Sequence, residues 1–330
     1  MAGAKTAFLV WIVMTTGWVY AGAETWRIDG TGEWRAVEPN TDDAYLLRVA
    51  EIKRMVDAGK ATKVRKAVKQ LKKDYPEVAG KDFDAFIKGE VLLCQGKLTK
   101  ASHQYDKFMD EYPASAFKDA AMARQFEIGS AYLGGRKKQV LIFRMKAYDE
   151  GIKVMDKVSD RGGKSELARR AALAVVQHYE KRKKYEQAYM KWSEVSSRWP
   201  TGETGRDALL GMARNKYSQY RGADYDVSSL VSARSYYDNF RLRYPDDANK
   251  MDIEGIVRTI DEKIAGKQAK TGQYYERTGS KEAANLYYQM VVERWPQTQA
   301  AKTSQEGINR KEPEKKEEKT WVKALGKLLL

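Results

Sequence analysis

Residues 284–296 read Ala-Asn-Leu-Tyr-Tyr-Gln-Met-Val-Val-Glu-Arg-Trp-Pro. A small residue, Ala284, is followed one helical turn later by Tyr288, and the stretch closes on Trp295-Pro296. Residues four apart share one face of a helix, so Ala284 and Tyr288 point the same way. The small residue lets a second helix approach, and the ring fills the space beside it. Proline has no amide hydrogen to continue the ladder, so the helix ends at Trp295. Counting back from the other aromatic-proline pairs returns the same arrangement. Pro76, Pro113, Pro200 and Pro245 follow Tyr75, Tyr112, Trp199 and Tyr244. Twelve residues before each stand Val64, Ala101, Ala188 and Ala233, and eight before stand Val68, Tyr105, Trp192 and Tyr237. A degenerate copy has Gly163 in the proline slot, with Gly151 and Met155 at the two earlier positions. The six copies recur at intervals of 37 to 51 residues. Self-similarity at such a period predicts an all-α solenoid of about six helical hairpins.

Composition agrees with a folded, charge-rich chain. The 330 residues are 42% hydrophobic and 32% charged, with 60 Lys and Arg against 45 Asp and Glu, a formal charge of +15. Eight Trp, 20 Tyr and 8 Phe exclude wholesale disorder. One short apolar run excludes a polytopic membrane protein. A single cysteine, Cys94, excludes an internal disulfide framework, and it sits in an apolar run that predicts a buried thiol. Two histidines leave little for a metal site.

Residues 1–23 have the layout of a cleavable secretory leader. Lys5 supplies the positive start, Ala7 to Val19 the apolar core, and Ala21-Gly22-Ala23 the small-residue site, so cleavage is expected after Ala23. The core is shorter than the roughly 20 residues of a spanning helix. A periplasmic protein is therefore expected, and its basic charge does not point to nucleic acid. Residues 24–40 form an N-terminal segment. Within it, Trp26, Ile28, Trp34 and Val37 flank a turn-rich Asp29-Gly30-Thr31-Gly32, which predicts a β-hairpin. It would cap the first helix pair or present its tryptophans to a partner. The repeats occupy 41–310. Residues 311–330 are a charged spacer ending in an amphipathic segment, with Trp321, Leu325, Leu328 and Leu329 on one helical face. That face would hook a partner or the membrane surface, or fold back as a cap.

The repeat positions are those of the tetratricopeptide repeat, with Gly89 and Gly272 at eight, Tyr275 at eleven, alanine at twenty, the aromatic at twenty-four and proline at thirty-two. Residues 233–298 resemble the last two repeats of the BamD/YfiO family of outer-membrane β-barrel assembly factors, and residues 171–200 resemble a middle repeat. The resemblance implies a tetratricopeptide-repeat solenoid that scaffolds β-barrel assembly. It implies as partners a β-barrel assembly protein with periplasmic domains and unfolded outer-membrane protein clients. The chain departs from that family in having six units where five are usual and no lipid-acceptor cysteine beside the leader. A periplasmic tetratricopeptide adaptor for cell-wall or envelope maintenance is the alternative.

Repeat position places Phe83, Phe86 and Glu90 of the second unit and Met122 and Gln125 of the third on a peptide-binding groove. Their other reading is ordinary packing between repeats. Two basic stretches stand out. Lys53 to Lys73 holds nine Lys and Arg against Asp57 alone, either a solvated face or an attractor of anions. Residues 134–148 interrupt the third hairpin with five basic residues around apolar Val140 to Phe143, an inserted loop that packs on the solenoid or docks an acidic or anionic surface. His103 and His178 lack a second ligand nearby, and neither a phosphate-cradling glycine loop nor a Gly-x-Ser-x-Gly elbow occurs. The chain is expected to be non-enzymatic and to carry no cofactor.

Overall fold

The computed structural model describes residues 26–28, 34–36, 41–76, 80–140 and 143–310. Residues 1–25, where a leader cleaved after Ala23 is expected, and residues 311–330, with Trp321, Leu325, Leu328 and Leu329, lie outside them. Among the described residues the chain is all-α, with fourteen helices and two small β-ribbons. Six helical hairpins follow one another. They are α1 (Thr41–Asp57) with α2 (Ala61–Asp74), α3 (Lys81–Cys94) with α4 (Leu98–Glu111), and α5 (Lys118–Leu133) with α6 (Tyr148–Arg161). Then come α7 (Glu166–Lys181) with α8 (Tyr185–Arg198), and α9 (Gly202–Ser218) with α10 (Ser228–Arg243). A short α11 (Pro245–Lys250) leads to α12 (Ile253–Arg277) with α13 (Lys281–Arg294), and α14 (Gln299–Asn309) follows. The chain falls into two compact units, residues 1–175 and 176–330.

The repeated residues build the hairpins as the spacing predicts. Ala101, Ala188 and Ala233 are completely buried, and Ala284 nearly so. Tyr105, Trp192, Tyr237 and Tyr288 are buried one turn on. Burying each such ring contributes roughly 2–3 kcal/mol. The glycines of the first helices make room for these rings. A Cβ on Gly89 would stand 2.5 Å from the Tyr105 ring, and one on Gly272 would stand 2.7 Å from Tyr288. Tyr288 is also met from its other side by Gly307 of α14, at the same 2.7 Å. The ring thus sits between two backbones that only glycine lets this close.

Both ends of each unit repeat as well. Tyr75, Tyr112, Trp199, Tyr244 and Trp295 close the second helices at φ between −128° and −135°. Each donates its N–H to the carbonyl four residues back, at 2.8–3.0 Å. With ψ between 57° and 74° these residues have left the α region, which a residue before proline avoids. The turns inside five hairpins share one left-handed cap. At Gly59, Gly96, Gly135, Lys183 and Gly279 φ is positive. Each donates to the carbonyl three residues back, and its successor donates to the carbonyl five back. This double bond satisfies carbonyls that the helix end leaves open.

Two inserted segments are β-ribbons. β1 (Trp26–Ile28) pairs antiparallel with β2 (Trp34–Ala36), with Trp26 opposite Ala36 and Ile28 opposite Trp34. The expected loop at 134–148 is instead largely a ribbon, β3 (Lys137–Val140) with β4 (Phe143–Lys146), Val140 opposite Phe143. Its stem is tied down where Lys138 meets Glu150 of α6 at 2.9 Å. A run rich in β-branched and aromatic residues favours paired strands over an irregular excursion, because pairing satisfies its backbone groups.

Candidate functional site

In the first unit, α3 carries Phe83, Phe86 and Glu90 at helical spacing, and α5 carries Met122 and Gln125. The groove assigned to them is corrected by their burial. Their exposures are 3%, 6%, 4%, 7% and 2%. Phe83 and Phe86 pack on Phe117, at ring distances of 5.5 and 5.4 Å, and Phe86 also meets Phe108 at 5.8 Å. Gln125 donates to the Ser102 carbonyl at 2.8 Å and accepts from its hydroxyl at 2.7 Å. Successive first helices press on one another, so the stripe nearest the neighbour is consumed in packing. The hollow that Phe83, Phe86 and Glu90 still border measures about 40 Å³, too small for a ligand side chain.

Glu90 has a structural task. It grips the Arg124 guanidinium of α5, with Nη2 to Oε2 at 2.9 Å and Nε to Oε1 at 3.1 Å. Arg124 Nη1 reaches Asp57 of α1 at 2.9 Å and Glu127 at 2.8 Å. The Tyr105 hydroxyl of α4 donates to Glu90. Four helices thus meet at one arginine that is 1% exposed. Burial works against the Arg124 charge, but Glu90 and Glu127 outweigh it and hold the guanidinium above its ordinary value. Burial, with Glu90 beside it, pushes the Tyr105 phenol well up. Burial opposes the Asp57 charge, yet the Lys53 and Arg124 partners keep its carboxyl below the ordinary range. Sequence reasoning missed Arg124. The signal available was its place in the apolar stripe Ala121, Arg124, Gln125, Ile128.

The pairing of a buried aromatic donor with a first-helix glutamate recurs in the second unit. Trp192 Nε1 donates to Glu180 at 2.9 Å, and the Tyr288 hydroxyl donates to Glu276 at 2.7 Å. In both cases the glutamate stands twelve residues before the ring, a spacing the sequence displays. Each bond satisfies a polar atom that burial of the ring would otherwise strand.

The second unit also holds an open cleft of about 760 Å³. One wall is α12, which offers Lys267, Lys270, Thr271, Tyr274 and Arg277. The other is the connection from α9 to α10, with Ala223 and Asp224, and Arg310 stands beyond α14. Glu276 at its edge is engaged by Tyr288 and by Arg310, the latter at 3.1 Å. Sequence reasoning did not single out this cleft. Its cations are spread along a helix face and fall in no basic run. The basic face of α1 and α2 is solvated in large part, with Lys53 paired to Asp57 at 2.9 Å and Lys72 to Asp84 at 2.7 Å. Among the described residues no three His, Cys, Asp or Glu side chains gather as metal ligands.

No family model and no curated protein matches the chain. Among solved structures it is similar to a tetratricopeptide repeat protein from Parabacteroides merdae ATCC 43184, at 13% identity over 80% of this chain and 97% of that one, with a TM-score of 0.31. So loose a superposition carries no argument, and the fold rests on the helix pairing described above.

Proposed function

We propose that the chain is a non-enzymatic periplasmic adaptor of the outer-membrane β-barrel assembly machinery, which holds segments of partner and client proteins against its helical hairpins. The observation that carries this reading is the hairpin unit itself. Its small residue, aromatic and aromatic-proline end recur along the chain, and residues 171–200 and 233–298 carry them in stretches that resemble the BamD/YfiO family. Stacked hairpins offer extended surfaces for peptides. The partners in this reading are a barrel-forming protein with periplasmic domains and unfolded barrel clients. Six hairpins, with Cys94 as the only cysteine, favour a second reading as an adaptor of cell-wall or envelope maintenance.

The test is a mild crosslinking pull-down from native envelopes with tagged full-length chain and a version ending at Arg310. Recovery of a large β-barrel protein with periplasmic domains is the expected result. Its loss in the shortened version would assign the contact to residues 311–330. Recovery of wall synthases without a barrel protein would sink the first reading and establish the second.

A further inference from the structure

The cleft along α12 has more cation than its surroundings use. Lys267, Lys270 and Arg277 form no ion pair with any described residue, whereas Arg310 is matched by Glu276. Asp224 on the facing wall is the one other acid in the lining. Asp226, beside the lining, acts on Lys267 through space, and the cations still in excess set up a positive field in the concavity that low-dielectric walls concentrate. Tyr274 lies among them with 54% of its surface exposed, its ring meeting Tyr275 edge-on at 5.6 Å and otherwise open to the cleft.

The arrangement of these groups decides what they suit. Lys267 and Arg277 are ten residues apart on one helix, or about 15 Å. Lys267 and Lys270 are neighbours on the helix face, but charges spread over the whole of that length cannot all converge on one phosphate or one carboxylate. They match an extended chain, in which about five residues span the same length and alternate side chains point the same way. The site is a cleft walled on two sides, so a flat bilayer surface cannot reach its floor. We infer that this cleft binds an extended acidic segment of a partner protein, with carboxylates at Lys267, Lys270 and Arg277 and an apolar or aromatic residue against Tyr274. This rests on the adaptor reading above and names the chemistry of one of its partners.

The test uses purified full-length chain and a fluorescein-labelled decapeptide of alternating Glu and Gly, read by anisotropy. Saturable binding is expected, weakened about tenfold or more when Glu is replaced by Gln or when Lys267→Glu, Lys270→Glu and Arg277→Glu are combined. Circular dichroism confirms that the triple variant is folded. A control reverses three exposed charges elsewhere, Lys63→Glu, Lys66→Glu and Lys69→Glu, and should leave the affinity unchanged. Equal loss in both triple variants would reduce the effect to the overall +15 charge and overturn the inference. So would competition by equimolar inorganic phosphate, or preferential displacement by phosphatidylglycerol vesicles over phosphatidylcholine ones. Binding that appears only after removal of residues 311–330 would give the cleft to the chain's own tail and also overturn it. The assay contains no envelope component, so its failure leaves the pull-down result standing, and the reverse holds too.

Discussion

Lys183 occupies a turn position that four other hairpins give to glycine. Its φ is 56°, against 68° at Gly59, 69° at Gly96, 97° at Gly135 and 86° at Gly279, and the flanking hydrogen bonds are the same. The left-handed conformation costs a residue with a Cβ roughly 1–2 kcal/mol, and the extra freedom of glycine in the unfolded chain returns part of that. Lys183→Gly should therefore stabilise the chain by about 0.5–1 kcal/mol, seen as a higher urea midpoint at unchanged slope. The converse change isolates the same effect. A Cβ on Gly96 meets nothing within 4 Å, so Gly96→Ala should cost only the backbone penalty, about 1 kcal/mol. Gly89 behaves differently, since it is inside α3 with an ordinary helical backbone. Alanine there gains about 1 kcal/mol of helix propensity but forces the Tyr105 ring away, at 1–3 kcal/mol for overpacking. A net loss is expected, and a stabilised Gly89→Ala would refute the tight glycine-ring contact. Gly89 was legible in the sequence as a repeat position. Lys183 was not, because a lysine in a run of Lys and Arg reads as solvated surface rather than as a strained cap.

At the scale of the element, the helices of the first unit are fastened by Arg124 as well as by apolar packing. Both Arg124 and Glu90 are withdrawn from water, and deleting Arg124 leaves the Glu90 charge with only the Tyr105 hydroxyl, whereas Arg124 without Glu90 would keep Asp57 and Glu127. Arg124→Met should cost about 3–5 kcal/mol, the usual price of an uncompensated buried charge. Removing both charges together, as Glu90→Met with Arg124→Met, should recover most of that loss, since a buried pair often does no better than well-packed apolar groups. Urea melts of the two single variants and the double variant form the cycle that checks this. Additive losses would mean that the pair is not coupled. The hairpins themselves were legible because their small residues, rings and prolines repeat at fixed offsets. The groove was not. Phe83, Phe86 and Glu90 have the spacing of a helix face, and spacing alone cannot say whether that face meets solvent or the next helix. The ribbon at 137–146 was missed for a related reason, since a basic run interrupted by apolar residues suggests an excursion until its two halves are seen to pair.

For the molecule as a whole, the buried phenols give stability a defined upper pH limit. Tyr105 in residues 1–175 and Tyr237 and Tyr288 in residues 176–330 all fill aromatic slots. Burial raises Tyr237 and Tyr288 to about 12, with the Glu276 bond adding to the latter, and Tyr105 is driven well up by burial and Glu90. An exposed phenol titrates near 10. A folded-state pKa above the unfolded one means that the native chain holds its protons more tightly. The stabilisation is therefore complete below pH 10 and is lost as pH rises from there through about 12. Slots of this kind recur in both units, so alkali should melt helices in both. Loss of helical circular dichroism should coincide with the late part of the phenolate absorbance rise, after the exposed tyrosines have ionised. Tyr288→Phe should shift part of that late rise away while leaving the early part unchanged. If the phenolate signal is complete near pH 10 with the helices intact, the rings are not held in sealed slots, and the glycine-framed packing that defines the repeat would have to be redrawn.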